Sequence, residues 1–536
     1  MVETPTETRA LINEYEKRTQ EATDRARDSN DINEGLKPSD VSFLDAPSVE
    51  TMINPQALRE YNQQLNQQTP SWLNVYYEVK GKENPQAILK TRIDEPKLGD
   101  ALMRRDHLVS FPDVRSGAVY QPELGVWRLF KDSEAITYIE SQLTRTLNPW
   151  GVYGDGIVLR VRRYVLRMMF QPNSTGNPFD TTAPNLVAFK NGTYNMNTGQ
   201  LEKSQPENYL INGHDYNLDT SGKATPETDA LMQAMMGDAA MFMKEFIGYG
   251  FYHSYQPFPK IVFIYGSGGE GKSTLLSGLI GNYLIGRNNS SAVPPDELTG
   301  SQGRFKPAQL YGKEMNIVPD IPKNYLANTA ILKKLSGEDT LEAEFKGMQG
   351  FTFTNYAKMI FSANELPSFT DASNGMKERL VLIPFINGDT RTVNKDFWKQ
   401  HDMTKVKTER SAFVYQCIQL FMQAKERGAM SETHQMQVDR NEWMDLNDHF
   451  GQFIEEACEI DKSADEGEST KNVVAEYKAF CIENNYLDKT TSQTITENLK
   501  KYGVVRAKGI RGYTDHNNIW RFRGLKLVKS YLNPAI

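Results

Sequence analysis

A glycine-rich run set between an apolar strand and an apolar helix constrains this chain more than any other stretch. Lys260–Thr274 reads KIVFIYGSGGEGKST. Ile261, Val262, Phe263, Ile264 and Tyr265 form an apolar, partly β-branched run, the pattern of a strand buried on both faces. It stops at Gly266, and Gly266, Gly271, Lys272 and Ser273 satisfy the spacing GxxxxGK[ST]. Leu275, Leu276, Leu279 and Ile280 follow at helical spacing. Glycines let successive backbone N–H groups curl around phosphate oxygens, the lysine reaches the β- and γ-phosphates, and the serine hydroxyl ligates magnesium. The new helix points its positive end at the anion. Gly266, Ser267, Gly268, Gly269, Glu270, Gly271, Lys272, Ser273 and Thr274 are therefore the expected nucleoside triphosphate cradle.

Downstream, Lys313–Pro322 reads KEMNIVPDIP, a short apolar strand ending in Asp320, where magnesium or the water it orients needs a negative charge. Ile331–Glu344 reads as a helix followed by a glycine-centred turn, and Phe345–Phe353 as a hairpin with Lys346 near its tip. Ala357–Asn364, AKMIFSAN, is a second buried strand ending in an amide. Ligands of open α/β sheets bind beyond the carboxyl ends of the strands, so Thr274, Asp320 and Asn364 are expected in one crevice. Asp371–Phe385 places Arg379 just before a further apolar strand.

Upstream, residues 1–50 are rich in Glu, Asp, Thr and Ser and read as a solvated tail, and Asn54–Gln68 as a Gln/Asn-rich linker. Order is expected from Trp72–Tyr77. Val158–Met169 carries Arg160, Arg162, Arg163 and Arg167, either a nucleic-acid path or, more commonly, a solvated helix face. Asn191 and Gly192 mark a tight hairpin that asks for positive φ. Pro226–Tyr252 reads as one long helical segment leading into the glycine-rich motif.

A hydrophobic fraction of 39% and a charged fraction of 24% permit sizeable cores. Cys417, Cys458 and Cys481 form no CxxC pair, which disfavours a structural zinc and favours a reduced compartment. No apolar run approaches spanning length and MVETPTETRA lacks a signal-like pattern, so a cytoplasmic location without membrane partners is expected, the host cytoplasm for a phage-encoded chain. Net charge is −7, yet Lys471–Ile536 holds twelve Lys and Arg against five Asp and Glu, leaving −14 on the rest. A basic end on an acidic body fits a local polyanion contact.

The ordered set GSGGEGKS (266–273), NIVPDIP (316–322), KKLSGEDTLEAEFK (333–346), FSANELP (361–367) and RLVLIPF (379–385) resembles the superfamily 3 helicase domain of phage and plasmid primase-helicases, the poxvirus type included. The resemblance spans residues 99–536. It implies an α/β fold: a P-loop AAA+ motor, a mostly α+β helicase-associated N-terminal domain and a winged-helix-like C-terminal domain. The expected division is 1–70 polar segment, 71–225 associated domain, 226–255 helical collar, 256–390 motor, 391–465 helical segment and 466–536 basic domain.

By this resemblance Lys272 and Ser273 hold the phosphates of ATP and Mg²⁺, Asp320 holds Mg²⁺ or water, and Asn364 positions the attacking water. Arg379 acts as an arginine finger from a neighbouring subunit, which requires a ring, expected to be a hexamer. Lys346 grips single-stranded DNA in the pore, and Arg506, Lys508, Arg511, Arg521 and Arg523 hold forked or duplex DNA. The implied function is ATP-dependent unwinding during replication of a phage, plasmid or mobile element, beside a separate primase or other replisome proteins. The alternative is an initiator or loader that remodels origin DNA without processive unwinding. Two departures stand out: Glu338 occupies a position usually held by glycine, and no second acid follows Asp320. Before Gly99 there is no carboxylate pair of the kind priming needs.

Overall fold

The computed structural model describes residues 46–532 except 82–83, 113–116, 132, 173–176, 267–270, 300–304, 322, 324–325, 327–328, 345–349, 370–372, 386–395, 485, 487–490 and 514–517. The chain divides into two compact units, Met1–Gln121 with Trp127–Pro178, and Pro122–Val126 with Phe179–Ile536. Among the described residues no helix is long and apolar enough to cross a membrane.

In the first unit an antiparallel hairpin pairs Leu73–Lys80 with Gln86–Ile93. Leu73, Val75 and Tyr77 alternate inward along its first strand. The segment expected as a linker is instead a helix, Pro55–Gln67, capped by Asn54, whose Oδ1 accepts from Gln56 N and Ala57 N at 3.0 and 3.3 Å. Its polar composition serves the hairpin edge. Asn66 Oδ1 accepts from Val75 N and Asn62 Oδ1 from Tyr77 N, both at 2.8 Å, so side-chain amides pair backbone groups that an edge strand leaves open. Helices Glu95–Asp106, Glu134–Leu147 and Asp155–Met168 close over a core including Leu98, Ile139, Leu143, Val161 and Val165. Arg160 is held by Glu95 at 2.8 Å and Arg162 by Glu140, which favours the solvated-face reading for these two.

The second unit is mixed α/β. It opens on a four-stranded sheet of Leu186–Phe189, Gly192–Asn195, Gln200–Glu202 and Gly213–His214. Of the turn pair only Gly192 takes positive φ, 140°. Asn191 instead uses its amide, Nδ2 donating to Leu218 O at 3.0 Å and Oδ1 accepting from Leu218 N at 2.9 Å. The segment read as one helix is two, Pro226–Met236 and Ala240–Gly250, parted where Gly237 adopts φ 52° and ψ −133°.

At the centre, Ile261–Tyr265 (β1), Ser290–Ser291 (β2), Met315–Ile321 (β3), Lys358–Ala363 (β4) and Leu380–Pro384 (β5) form one sheet in the order β2-β3-β4-β1-β5. Every neighbouring pair is parallel. A parallel sheet needs cover on both faces, and apolar runs supply it. Val262 and Ile264 share a core with Leu276 and Ile280 of helix Thr274–Gly286, while Ile261 and Phe263 share another with Phe361 and Trp443. That first helix winds i→i+5, and its buried pairs 275/276, 279/280 and 284/285 recur after four and then five residues, a spacing wider than an α-helix would place on one face. Between β3 and β4 the strands Thr340–Ala343 and Phe351–Thr354 make an antiparallel hairpin. Residues 345–349 between them, Lys346 included, lie outside the described residues.

After β5, helix Arg410–Arg427 ends at Gly428, φ 75°, and helices His434–Asn447 and His449–Ala457 follow. The chain closes with Cys458–Ile460 (β6), Gly467–Ser469 (β7), helices Thr470–Glu483 and Ser492–Lys501, then Arg506–Ala507 (β8), Arg521–Arg523 (β9) and Leu525–Leu527 (β10). β9 pairs antiparallel with β7 and β8, and β10 with β6.

Candidate nucleotide-binding site

The insertion of β4 between β1 and β3 brings three carboxyl ends side by side. Strands in a sheet lie about 4.8 Å apart, so β1 and β3 are separated by roughly 10 Å. β1 runs into Gly266, whose N–H donates to Ala363 O, the last residue of β4, at 3.3 Å. Asn364 follows immediately. Ser267, Gly268, Gly269 and Glu270 lie outside the described residues, and the chain resumes at Gly271 with φ 91°, a conformation that suits glycine.

Lys272 is only 8% exposed. Its Nζ donates to Gly266 O at 2.7 Å and to Asn364 Oδ1 at 3.3 Å. An ammonium carried by the first helical turn thus folds back to the carbonyl of Gly266 at the end of β1 and meets the amide that follows β4. Ser273 is exposed at the start of helix Thr274–Gly286 with no side-chain capping bond, and Thr274 is half-buried beside it. Asp320 is exposed in β3, where the pairing with β4 shifts between Val318 and Ile321. These residues fit a magnesium nucleotide: a positive-φ glycine before the lysine, a buried cation facing a neutral amide, and hard oxygen donors in Ser273 and Asp320.

Arg379 is placed elsewhere. Its carbonyl accepts from Ile261 N at 2.7 Å, which sets it at the amino edge of the sheet, the full length of β1 away from the loop. Five residues at about 3.3 Å each make that distance ~16 Å. Its guanidinium donates to Gly375 O at 2.6 Å and Ser336 Oγ at 3.2 Å.

Two features beside the cradle carry no periodic signal in sequence. A Cβ at Gly271 would lie 3.1 Å from Met235 Cε and 3.4 Å from Trp398 Cζ2, so a thioether and an indole wall the end of the loop. On the other face of the sheet a cleft of about 580 Å³ is lined by Tyr265, Leu366, Trp443, His449 and Tyr486 among others. His449 and Tyr486 stack there at 3.7 Å, and burial holds the imidazole below its ordinary pKa.

The basic C-terminal residues separate into distinct environments. Arg506 Nε donates to Thr470 Oγ1 at 3.2 Å, and its guanidinium lies 4.9 Å from the ring of Trp520, with Lys508 Nζ 5.3 Å from the same ring. Trp520 is 46% exposed, an aromatic that charge counting passes over. Arg511 is exposed, while Arg523 pairs with Asp465 and donates to Ala464 O at 3.2 Å. Arg521 departs from the expectation of a DNA-facing side chain. It is 1% exposed, and a Cβ at Gly512 would lie 2.6 Å from its Cζ, so a glycine makes room for a guanidinium inside the fold.

A buried charged cluster gathers at the amino edge of the sheet. His214 Nε2 and His253 Nε2 lie 3.2 and 3.3 Å from Glu314 Oε1. Burial raises the carboxyl's pKa, but the two imidazoles outweigh it and hold it below the ordinary value. Lys358 donates to Tyr252 O at 2.8 Å and Tyr356 O at 2.6 Å, and burial pushes its ammonium well below the usual lysine range.

Residues 264–379 match a family model described as "Family of unknown function (DUF5906)". No curated protein matches the chain. Among solved structures the chain is similar to an apo structure of the NrS-1 C terminal region, at 13% identity and TM-score 0.38, covering 81% of this chain and 100% of that one. An A-form apo structure of the same region aligns at 13% identity and TM-score 0.38, over 78% of this chain and 97% of the other.

Proposed function

We propose that this chain is an ATP-driven, ring-forming DNA helicase with a P-loop AAA+ motor of the superfamily 3 kind, acting in replication of a phage, plasmid or mobile element. The single observation that carries the reading is the meeting of Lys272 Nζ with Gly266 O and Asn364 Oδ1 at the carboxyl edge of a parallel sheet. When nucleotide enters, Lys272 exchanges those carbonyl oxygens for β- and γ-phosphate oxygens, and the freed Asn364 amide is left to orient the attacking water. Ser273 and Asp320 would supply hard oxygens to Mg²⁺, which when bound would neutralise charge developing on the phosphates.

Arg379, ~16 Å from its own cradle along β1, is farther from it than an arginine side chain extends. The same residue at a subunit boundary reaches the neighbour's γ-phosphate, which makes a closed ring the working form. Lys346, which falls between the paired strands Thr340–Ala343 and Phe351–Thr354 in sequence, is the proposed contact to the DNA phosphates, and the C-terminal domain holds the fork through Arg506, Lys508, Arg511 and Trp520. Arg523 is spoken for by Asp465, and Arg521 maintains the fold.

The test is a pair of variants. Lys272→Ala is expected to abolish ATP hydrolysis; Lys346→Ala is expected to keep basal hydrolysis and lose strand displacement on a forked substrate. Hydrolysis surviving in the first refutes the site. Wild-type protein whose hydrolysis responds to DNA without displacing a strand is the initiator or loader instead.

A further inference from the structure

We infer that Trp398, backed by Met235, is the platform on which the base of the bound nucleoside triphosphate stacks. The inference rests on the nucleotide-binding reading above and adds the half of the ligand that the glycine loop does not address. A P-loop handles phosphates through N–H groups and one lysine, and nothing in that chemistry recognises a base. A base is a flat, weakly polar ring, and burial against an aromatic face is the ordinary way to hold one without reading its edges.

Three observations put that face at Trp398. First, its ring closes on the cradle itself, 3.4 Å from where a Cβ on Gly271 would stand, with Met235 Cε 3.1 Å from the same point. Gly271 directly precedes the phosphate-binding lysine, so a nucleotide seated on Lys272 has its nucleoside within reach of this wall. Second, the indole is anchored but not consumed. Met235 is fully buried and Phe397 is buried beside the indole at a ring distance of 5.1 Å, whereas Trp398 stays half-exposed and packs onto the core shared with helix Thr274–Gly286. Third, the two walls come from elements flanking the motor in sequence, Met235 from helix Pro226–Met236 before β1 and Trp398 from helix Phe397–Gln400 after β5. The cleft holding His449 and Tyr486 is the competing platform. It lies with Trp443 on the sheet face opposite that helix, and its two rings already stack on one another at 3.7 Å.

The experiment separates base from phosphate. Full-length wild type, Trp398→Ala and Trp398→Phe are titrated by calorimetry with magnesium ATP and with magnesium tripolyphosphate, the phosphate chain without its nucleoside. Stacking on one aromatic corresponds to a loss of about ten-fold in ATP affinity for Trp398→Ala. Tripolyphosphate affinity is expected to stay within about two-fold of wild type, and Trp398→Phe to recover most of the ATP affinity. Loss of both ligands in parallel, or of neither, overturns the platform while leaving the nucleotide site in place. Wild type that binds neither ligand overturns both readings. Should Trp398→Ala fail to fold, Trp398→Phe decides alone: ATP is expected to quench wild-type tryptophan emission and tripolyphosphate not to, with the ATP quench lost in the variant. An unchanged quench in Trp398→Phe overturns the inference.

Discussion

Mixing two inactive variants is the sharpest test of how the site is completed. Arg379→Ala removes the proposed finger and leaves the glycine-rich sequence unchanged; Lys272→Ala does the reverse. The structure sets the expectation, because Arg379 sits at the amino edge of β5 and the loop at the carboxyl edge of β1, ~16 Å apart within one subunit. Each variant alone is expected to lose on the order of 10³–10⁵ of wild-type turnover. In rings assembled from equal amounts of both, an interface is complete when an Arg379→Ala subunit offers its loop to a Lys272→Ala neighbour's arginine. Random closure makes that about one interface in four, so turnover near a quarter of wild type is the ceiling if interfaces fire independently. The assay is phosphate release across mixing ratios after co-assembly, with ring formation followed by light scattering. Turnover that stays at the level of the separate variants at every ratio, in rings shown to contain both, refutes action between subunits.

Trp520→Ala is expected to weaken single-stranded DNA binding by about 1–3 kcal/mol, read by fluorescence anisotropy, with ATP hydrolysis in the absence of DNA unchanged; unaltered affinity removes the indole from the DNA surface. Glu314→Gln is expected to lower stability at neutral pH by about 1–3 kcal/mol, since it weakens a buried acceptor shared by His214 and His253. The carboxyl's folded pKa lies below 4.5, so its contribution is complete above that value and is lost as pH falls through the folded one. Urea midpoints of the two proteins should therefore converge in acid, and a gap that stays constant with pH contradicts the assignment.

How much of this was legible in residues depended on whether a signal was periodic or local. The strand Ile261–Tyr265 and the amide-ended strand AKMIFSAN were readable because buried parallel strands are unbroken apolar runs and their carboxyl ends must converge. The contact of Lys272 with Asn364 follows from that rule. The break at Gly237 was hidden inside a continuous apolar periodicity that both halves share. Helix Pro55–Gln67 was hidden by its own composition, since Gln and Asn read as solvated until a hairpin edge gives Asn62 and Asn66 backbone groups to pair. Arg521 and Arg523 stand two apart in a three-residue strand, where alternation puts both on one face, so nothing in the pattern says that the fold encloses Arg521 and leaves Arg523 exposed. Trp398 stands in KDFWKQ, where only the folded chain shows that Gly271 is its neighbour.

β4 carries a mechanical implication. One end is Asn364, in contact with Lys272; the other is tied down by Lys358 inside the fold and joins the Phe351–Thr354 strand through residues 355–357. Asn355 fastens that joint to Leu335 O at 2.7 Å. Six extended residues leave little slack, so in the proposed motor a shift of Asn364 on nucleotide binding would strain the anchored joint at residues 355–357, from which the Phe351–Thr354 strand runs back toward Lys346 in sequence.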